Sequence, residues 1–109
     1  MATPPPPFRV SSERSDDTTR ITVEGDLDMA SAPDLSAAVD AALHSMPRRL
    51  AIDLSELQFV DSSGLRLLIA IARRAAELGV ELSLVPPHEP AFSVFRVSGA
   101  DERLPFVDR

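Results

Sequence analysis

The 109-residue sequence has no cysteine, no lysine and no long apolar run. The absence of cysteine excludes a disulfide framework, a thiolate metal site and a cysteine nucleophile. The chain has 17 acidic residues and a net charge of −6. It therefore also lacks the basic patch with which proteins bind nucleic acids and anionic membranes. No apolar segment approaches the ~18 residues of a membrane span. We therefore expect neither nucleic acid nor a membrane as a partner, and the expected location is the cytoplasm.

The composition that remains is that of one ordinary globular domain, with 44% hydrophobic and 26% charged residues. Four consecutive prolines end the segment 1–7, where they favour an extended conformation and supply no backbone donors. This segment has neither the basic start nor the apolar middle of a signal peptide. The sequence therefore predicts a flexible proline-rich tail over residues 1–7 and a single domain over residues 8–109.

Strand-like and helix-like segments alternate along this domain. Alternation of apolar and polar residues predicts strands at Arg20–Glu24, Leu50–Leu54 and Val80–Val85. Two further strands are predicted near the ends of the domain, at Phe8–Val10 and Leu104–Val107. Apolar residues at helical spacing predict about three helices between the strands. This order predicts an α/β fold with a mixed, mostly parallel sheet of 4–5 strands.

Several local features follow from the same patterns. Ser31-Ala32-Pro33-Asp34 predicts a capping box, in which the Ser31 hydroxyl accepts from the first helical turn and Asp34 reaches back. The stretches Ser11–Thr18 and Ser55–Val60 are predicted as connections. The second helix is predicted to end at Gly79, and the third at Gly99. The main apolar face of the second helix is predicted on Leu65, Leu68, Ile69, Ala72 and Ala76.

The motifs of enzymes and metal proteins are missing. Ser62 does not lie in a Gly-x-Ser-x-Gly sequence, and the two histidines, His44 and His88, fall at a helix end and in a proline-rich loop. The four glycines are scattered and form no phosphate-binding loop. The aspartates near the strand ends are equally typical of turns. We therefore expect no catalytic activity, no cofactor and no metal ion.

One polar motif, Asp61-Ser62-Ser63-Gly64, lies where a strand end enters the second helix. Aspartate and serine are favoured helix caps, so the motif is consistent with a plain helix start. A hydroxyl at a helix amino terminus also lies beside unpaired backbone donors and a partial positive charge, where the fold tolerates a phosphate. A phosphate would add about −1.5 to −2 charges to that surface. Phosphorylation of Ser62 would then switch the binding of a partner while the domain stays folded.

Three segments share the pattern of a known family. Their sequences are Ile52-Asp53-Leu54-Ser55-Glu56-Leu57-Gln58-Phe59-Val60-Asp61-Ser62-Ser63-Gly64-Leu65, Glu24-Gly25-Asp26-Leu27-Asp28 and Phe95-Arg96-Val97-Ser98-Gly99. Together they resemble the signature, the strand-end turn and the late helix end of STAS domains of the anti-sigma factor antagonist group. The resemblance extends from residue 8 to residue 107. It implies a mixed sheet with the helices packed mainly on one face.

By this resemblance, the chain binds an anti-sigma factor that is also a serine kinase, and so releases a sigma factor to direct transcription. The kinase then phosphorylates Ser62, the first serine after the aspartate, and a phosphatase reverses the reaction. Asp28 is either a partner contact or a simple turn former, and the free protein is expected to be a monomer. Because both motifs follow the ends of parallel strands, they are expected at one edge of the sheet. The partner-binding residues implied are Asp26, Leu27, Asp28, Asp61, Ser62, Ser63, Gly64 and Leu65.

Two other interpretations stay open. In the first, the domain is a permanent subunit of a stress-signalling scaffold or of a lipid-transport assembly, and Ser62 is only a helix cap. In the second, Ser62 is an esterase-like nucleophile, for which the sequence offers no base at a motif spacing.

Overall fold

The computed structural model describes residues 7–108, which form four strands and four helices. The predicted tail over residues 1–7 lies outside the described residues, except for Pro7. None of the helices in this part of the chain is long and apolar enough to cross a bilayer. The elements are β1 (Arg9–Ser15), β2 (Thr18–Leu27), α1 (Ala32–His44), β3 (Arg49–Val60), α2 (Ser62–Leu78), β4 (Glu81–Val85), α3 (Ala91–Ser98) and α4 (Ala100–Arg103).

The strands form one mixed sheet in the order β1-β2-β3-β4. β1 and β2 are an antiparallel hairpin, whereas β2, β3 and β4 run parallel, which confirms the predicted α/β arrangement. The strand predicted at Leu104–Val107 is reduced to a single parallel bridge between Leu84 and Phe106. Pro105 has no N–H group with which to extend this ladder, although its carbonyl oxygen accepts from the Leu84 amide at 3.0 Å.

The apolar core lies between one face of the sheet and the helices. Burial alternates along β2, so that Ile21 and Val23 are fully buried while Arg20 is exposed. On the opposite face of the sheet Arg20 forms a salt bridge with Asp53 at 2.7 Å. The helices therefore pack on one face, as the resemblance implies. They bury against it Leu35, Val39 and Leu43 from α1, Leu68, Ile71 and Ala75 from α2, and Phe95 from α3.

The first strand is longer than predicted. Ser11–Ser15, expected in a connection, continues β1, and only Asp16 and Asp17 form the hairpin turn. Asp16 adopts a φ of 54°, which aspartate tolerates better than most residues. The polar sequence of β1 misled the prediction because this edge strand is mostly exposed and needs no apolar alternation.

The third strand is also longer than predicted, because β-bulges interrupt its apolar alternation. The β2–β3 ladder shifts register between Thr22 and Glu24 and again between Gly25 and Asp26. Each bulge places one extra residue in β3. As a result, the buried residues of β3 fall at positions 50, 52, 54, 57 and 60 instead of at every second position. The predicted connection Ser55–Val60 is therefore wrong, and this segment carries β3 to the candidate site.

The predicted apolar face of α2 is also wrong in part. The structure buries Gly64, Leu68, Ile71 and Ala75, whereas Ala76 is exposed. The buried face begins at Gly64, which packs closely against Leu27 and Val60, and it is displaced around the helix from the predicted face. The helix ends as predicted, at Gly79 with a φ of 72°.

Candidate functional site

The carboxyl ends of β2 and β3 lie side by side and bring the two predicted motifs together. Leu27 pairs with Val60 at the end of the ladder. The Asp61 amide donates to the Leu27 carbonyl oxygen at 3.1 Å. The β2–α1 turn, which contains Asp28, therefore adjoins the start of α2, which contains Ser62. This edge is where parallel α/β sheets usually carry their sites.

Gly64 allows the first turn of α2 to lie directly against the end of β2. A Cβ atom at this position would lie 2.8 Å from the Leu27 carbonyl oxygen, 2.8 Å from Val60 Cγ2 and 2.9 Å from Leu27 Cγ. The carbonyl oxygen is backbone and is already bonded to the Asp61 amide, so it cannot move away without breaking that link. Only glycine fits at position 64, because any Cβ atom there would overlap with these atoms of Leu27 and Val60.

Asp61, and not a serine, caps α2. Its backbone is extended, with φ −104° and ψ −175°, and its Oδ1 accepts from the Gly64 amide at 3.0 Å. This is the geometry of an N-cap. Ser62 is the first helical residue and is exposed, and within residues 7–108 its hydroxyl makes no hydrogen bond. The interpretation of Ser62 as a helix cap is therefore wrong, and its hydroxyl is free of any structural bond in the described chain.

The β2–α1 turn is held by the side chains of Asp28 and Ser31. The Ser31 hydroxyl donates to the Asp26 carbonyl oxygen at 2.7 Å and accepts from the Asp28 amide at 3.0 Å. Asp28 Oδ1 accepts from the amides of Ala30 and Ser31, each at 3.0 Å. The predicted capping box with Asp34 is wrong. Ser31 has φ −96° and ψ −19°, which is helical rather than extended, and its side chain makes no cap hydrogen bond.

The predicted partner-binding residues differ in their exposure. Leu27 is fully buried and Gly64 is buried, so neither presents a side chain to a partner. These two residues instead fix the turn and the helix against each other. The half-exposed residues are Asp26, Asp28, Asp61, Ser63 and Leu65, and only Ser62 is exposed.

Carboxylates line a shallow groove of about 350 Å³ beside the β2–α1 turn. None of its lining residues is basic, and within residues 7–108 no three histidine or acidic side chains converge as metal ligands. The groove is therefore an acidic surface without the geometry of a metal site. It is lined by Phe8, Asp26, Asp28, Ala30, Ser31 and Asp34.

Two exposed apolar side chains flank the site, and sequence reasoning missed both. Met29 follows Asp28 in the turn and is 77% exposed. Phe59 pairs with Asp26 in the ladder and is 49% exposed. Large exposed apolar side chains beside a polar site are candidates for contact with a partner. The signal for Met29 was an apolar residue inside an otherwise polar turn, and Phe59 was hidden by the bulges in β3.

Comparison with known proteins identifies the family. The family described as "Mlab, STAS domain" matches residues 10–108, and the chain belongs to this STAS domain family. BtrV of Bordetella bronchiseptica, named as a candidate anti-sigma factor antagonist, is 26% identical over 92 residues, which cover 84% of this chain and 79% of BtrV.

Two solved structures show the same similarity. An anti-sigma factor antagonist from Mycobacterium paratuberculosis is 28% identical with a TM-score of 0.83, over 94% of this chain and 87% of that one. A variant of RsbS from Moorella thermoacetica is 25% identical with a TM-score of 0.76, over 93% of this chain and 87% of that one. The chain therefore shares its whole fold with proteins of this regulatory class.

Proposed function

We propose that this chain is an anti-sigma factor antagonist of the cytoplasm, and that phosphorylation of Ser62 switches its binding off. The proposal rests on one observation, that the residue that caps α2 is Asp61 and not Ser62. Asp61 Oδ1 caps α2, while the Ser62 hydroxyl is exposed and makes no hydrogen bond within residues 7–108. A kinase can reach such a hydroxyl, and its modification leaves the bonds of the fold intact.

In the unphosphorylated state, the docking surface consists of the β2–α1 turn, the end of β3 and the first turn of α2. It offers the apolar side chains of Met29 and Phe59 beside the half-exposed carboxylates of Asp26 and Asp28. Burial of exposed apolar side chains favours association. An anti-sigma factor that covers this surface would release its sigma factor.

Docking would also bring Ser62 to the active site of a partner that is a serine kinase. The Ser62 oxygen attacks the γ-phosphoryl group of ATP, ADP leaves, and the hydroxyl proton passes to a base of the kinase. The phosphate adds about −1.5 to −2 charges beside carboxylates that are already negative, so repulsion and desolvation oppose the complex. A phosphatase that hydrolyses the phosphoserine restores binding.

The test compares the wild-type protein with Ser62→Ala, Ser62→Asp and the matched control Ser63→Ala. Each protein is immobilised to capture partners from its host, and the captured anti-sigma factor is purified for calorimetry and for phosphorylation with ATP. Ser62→Ala should bind like the wild type and accept no phosphate, while Ser63→Ala should bind and be phosphorylated. Ser62→Asp should bind at least tenfold more weakly. Mass spectrometry of the tryptic peptide spanning residues 50–66 locates the phosphate.

The proposal fails if Ser62→Asp and the phosphorylated wild type both bind the partner as tightly as the unmodified protein does. It also fails if the phosphate is found on Ser63 or Ser55 and Ser62→Ala is still labelled. In either case, phosphorylation of Ser62 does not switch the binding of the protein.

A permanent, unswitched subunit is the second candidate function, because membership of the STAS domain family does not by itself require a phosphorylation switch. It predicts that Ser62→Asp and wild type bind the same partner equally, so the same experiment separates the two functions. The esterase interpretation has no support in residues 7–108, where the Ser62 hydroxyl makes no hydrogen bond to a base. His44 ends α1, at the far end of that helix from the β2–α1 turn.

A further inference from the structure

We infer that Arg66 is the intramolecular counter-ion of a phosphate on Ser62, an inference that rests on the proposed phosphorylation of this serine. Both residues lie in α2 and both are exposed. Residues four positions apart on a helix are neighbours, with Cβ atoms about 5–6 Å from each other. Long helical side chains point back toward the amino terminus, so the Arg66 side chain extends over the turn that contains Ser62.

Arg66 has no competing partner in the described chain. Within residues 7–108 it forms no salt bridge and no hydrogen bond, whereas Arg74 of the same helix is paired with Asp40. Arg66 is also the single charged residue of the segment 62–69, the first two turns of α2. The guanidinium is thus unengaged one turn away from an unbonded hydroxyl.

The charged residues of the chain segments that adjoin Ser62 are acidic. Asp61 precedes it, and Asp26 and Asp28 lie at the adjoining end of β2 and in the β2–α1 turn. A phosphate on Ser62 is therefore added to a surface on which the neighbouring elements supply carboxylates and Arg66 supplies a cation. An acidic group four residues before a basic one is the favourable order on a helix. The phosphate is thereby held over the first turn of α2 by Arg66.

This pairing gives phosphorylation two effects on the docking surface. It adds the charge of the phosphate, and it engages a guanidinium that was free to contact a partner. Modification of one hydroxyl thus changes two charged groups of the surface without changing the fold.

The test measures the second pKa of phosphoserine by phosphorus NMR. Phosphoserine is placed at position 62 during translation through an expanded genetic code, so no kinase or partner is needed. A free phosphoserine has a second pKa of about 6. Arg66 favours the dianion, so Arg66→Gln should raise this pKa by about 0.2 to 0.4 unit, the size expected for an exposed pair at this spacing. Arg66→Lys should retain most of the effect, and 1 M salt should remove it.

Arg73→Gln is the matched control. Arg73 is also exposed on α2 and lies at nearly the same angle around the helix as Arg66. It lies about 10 Å farther along the helix axis than Arg66, and therefore about 16 Å from Ser62. Its substitution should leave the phosphate pKa unchanged. Equal pKa values for Arg66→Gln and Arg73→Gln would overturn the inference.

The outcome is independent of the proposed function, because the titration contains no partner. If Ser62→Asp loses binding and Arg66→Gln leaves the phosphate pKa unchanged, then the switch stands and the role of Arg66 is refuted. If Arg66→Gln raises the pKa but phosphorylation leaves binding unchanged, the ion pair stands and the switch is refuted.

Discussion

The assignment of capping to Asp61 and not to Ser62 predicts opposite effects of two neighbouring alanine substitutions on stability. Asp61→Ala removes the oxygen that accepts from the Gly64 amide at 3.0 Å. That amide is then left without its partner at Gly64, which is buried and packed against Leu27. Ser62→Ala removes a hydroxyl that makes no hydrogen bond in the described chain, and it introduces a better helix former.

The expected changes in the free energy of unfolding of the two variants differ enough to be measured. Loss of an N-cap side chain lowers the free energy of unfolding by about 0.5–2 kcal/mol, typically about 1 kcal/mol. Replacing serine by alanine in an exposed helical position changes it by less than about 0.5 kcal/mol, in the stabilising direction. For a domain of 109 residues, 1 kcal/mol corresponds to a shift in Tm of about 4 °C.

Urea unfolding followed by circular dichroism measures both effects, provided that the variants share one m-value. Asp61→Asn is the control, because asparagine caps a helix about as well as aspartate does. It should keep most of the stability that Asp61→Ala loses. The reasoning is refuted if Ser62→Ala destabilises the domain as much as Asp61→Ala does, since the serine would then be the structural cap.

Thr19→Val should raise the free energy of unfolding by about 1 kcal/mol, because the buried Thr19 hydroxyl has no partner in the described chain; a urea midpoint at or below that of wild type would contradict this. Met29→Ala should weaken partner binding in calorimetry, whereas Met46→Ala, an exposed methionine beyond the other end of α1, should not; equal losses would place the docking surface elsewhere. Burial raises the pKa of Asp53, but hydrogen bonds from Ser55 and a neighbouring arginine outweigh it and lower the pKa below its ordinary value. The extra stability of wild type over Asp53→Asn should therefore be constant above about pH 5 and be lost as the pH falls below about 3.9 and through the lowered pKa; a difference that does not shrink as the solution is acidified below about pH 3.9 is the contrary result.

The sequence predicts best those elements whose hydrophobic period is intact. β2 alternates without interruption on its buried face, and α3 ends at Gly99 with a φ of 79°, as expected. The second half of β3 could not be predicted, because its bulges depend on the ladder with β2 and leave only an irregular spacing of apolar residues in the sequence. The exposed edge strand β1 failed for a related reason, since nothing buries its side chains.

The sequence predicts where the candidate site lies but not which of its residues caps α2 and which is left with a free side chain. Two motifs that follow parallel strands must meet at one edge, and they do. Aspartate and serine both cap helices, however, and only the backbone angles show that Asp61 takes the cap position. The same ambiguity misplaced Ser31, whose hydroxyl bonds to the turn before α1 instead of to the helix. The exposure of Met29 was equally hidden, because burial depends on contacts that no local pattern contains.

Because Asp61 and not Ser62 caps α2, a phosphate on Ser62 would act on the surface of the domain and not on its stability. Gly64 supplies the close approach to β2 and Asp61 supplies the cap, so the start of α2 is secured without the serine hydroxyl. If Ser62 were the cap, its phosphorylation would break a bond worth about 1 kcal/mol and would loosen the helix along with the partner. With the cap on Asp61, the effect of the phosphate falls on the charge of the surface. A phosphate on Ser62 would therefore weaken partner binding tenfold or more while the stability of the domain stays nearly constant.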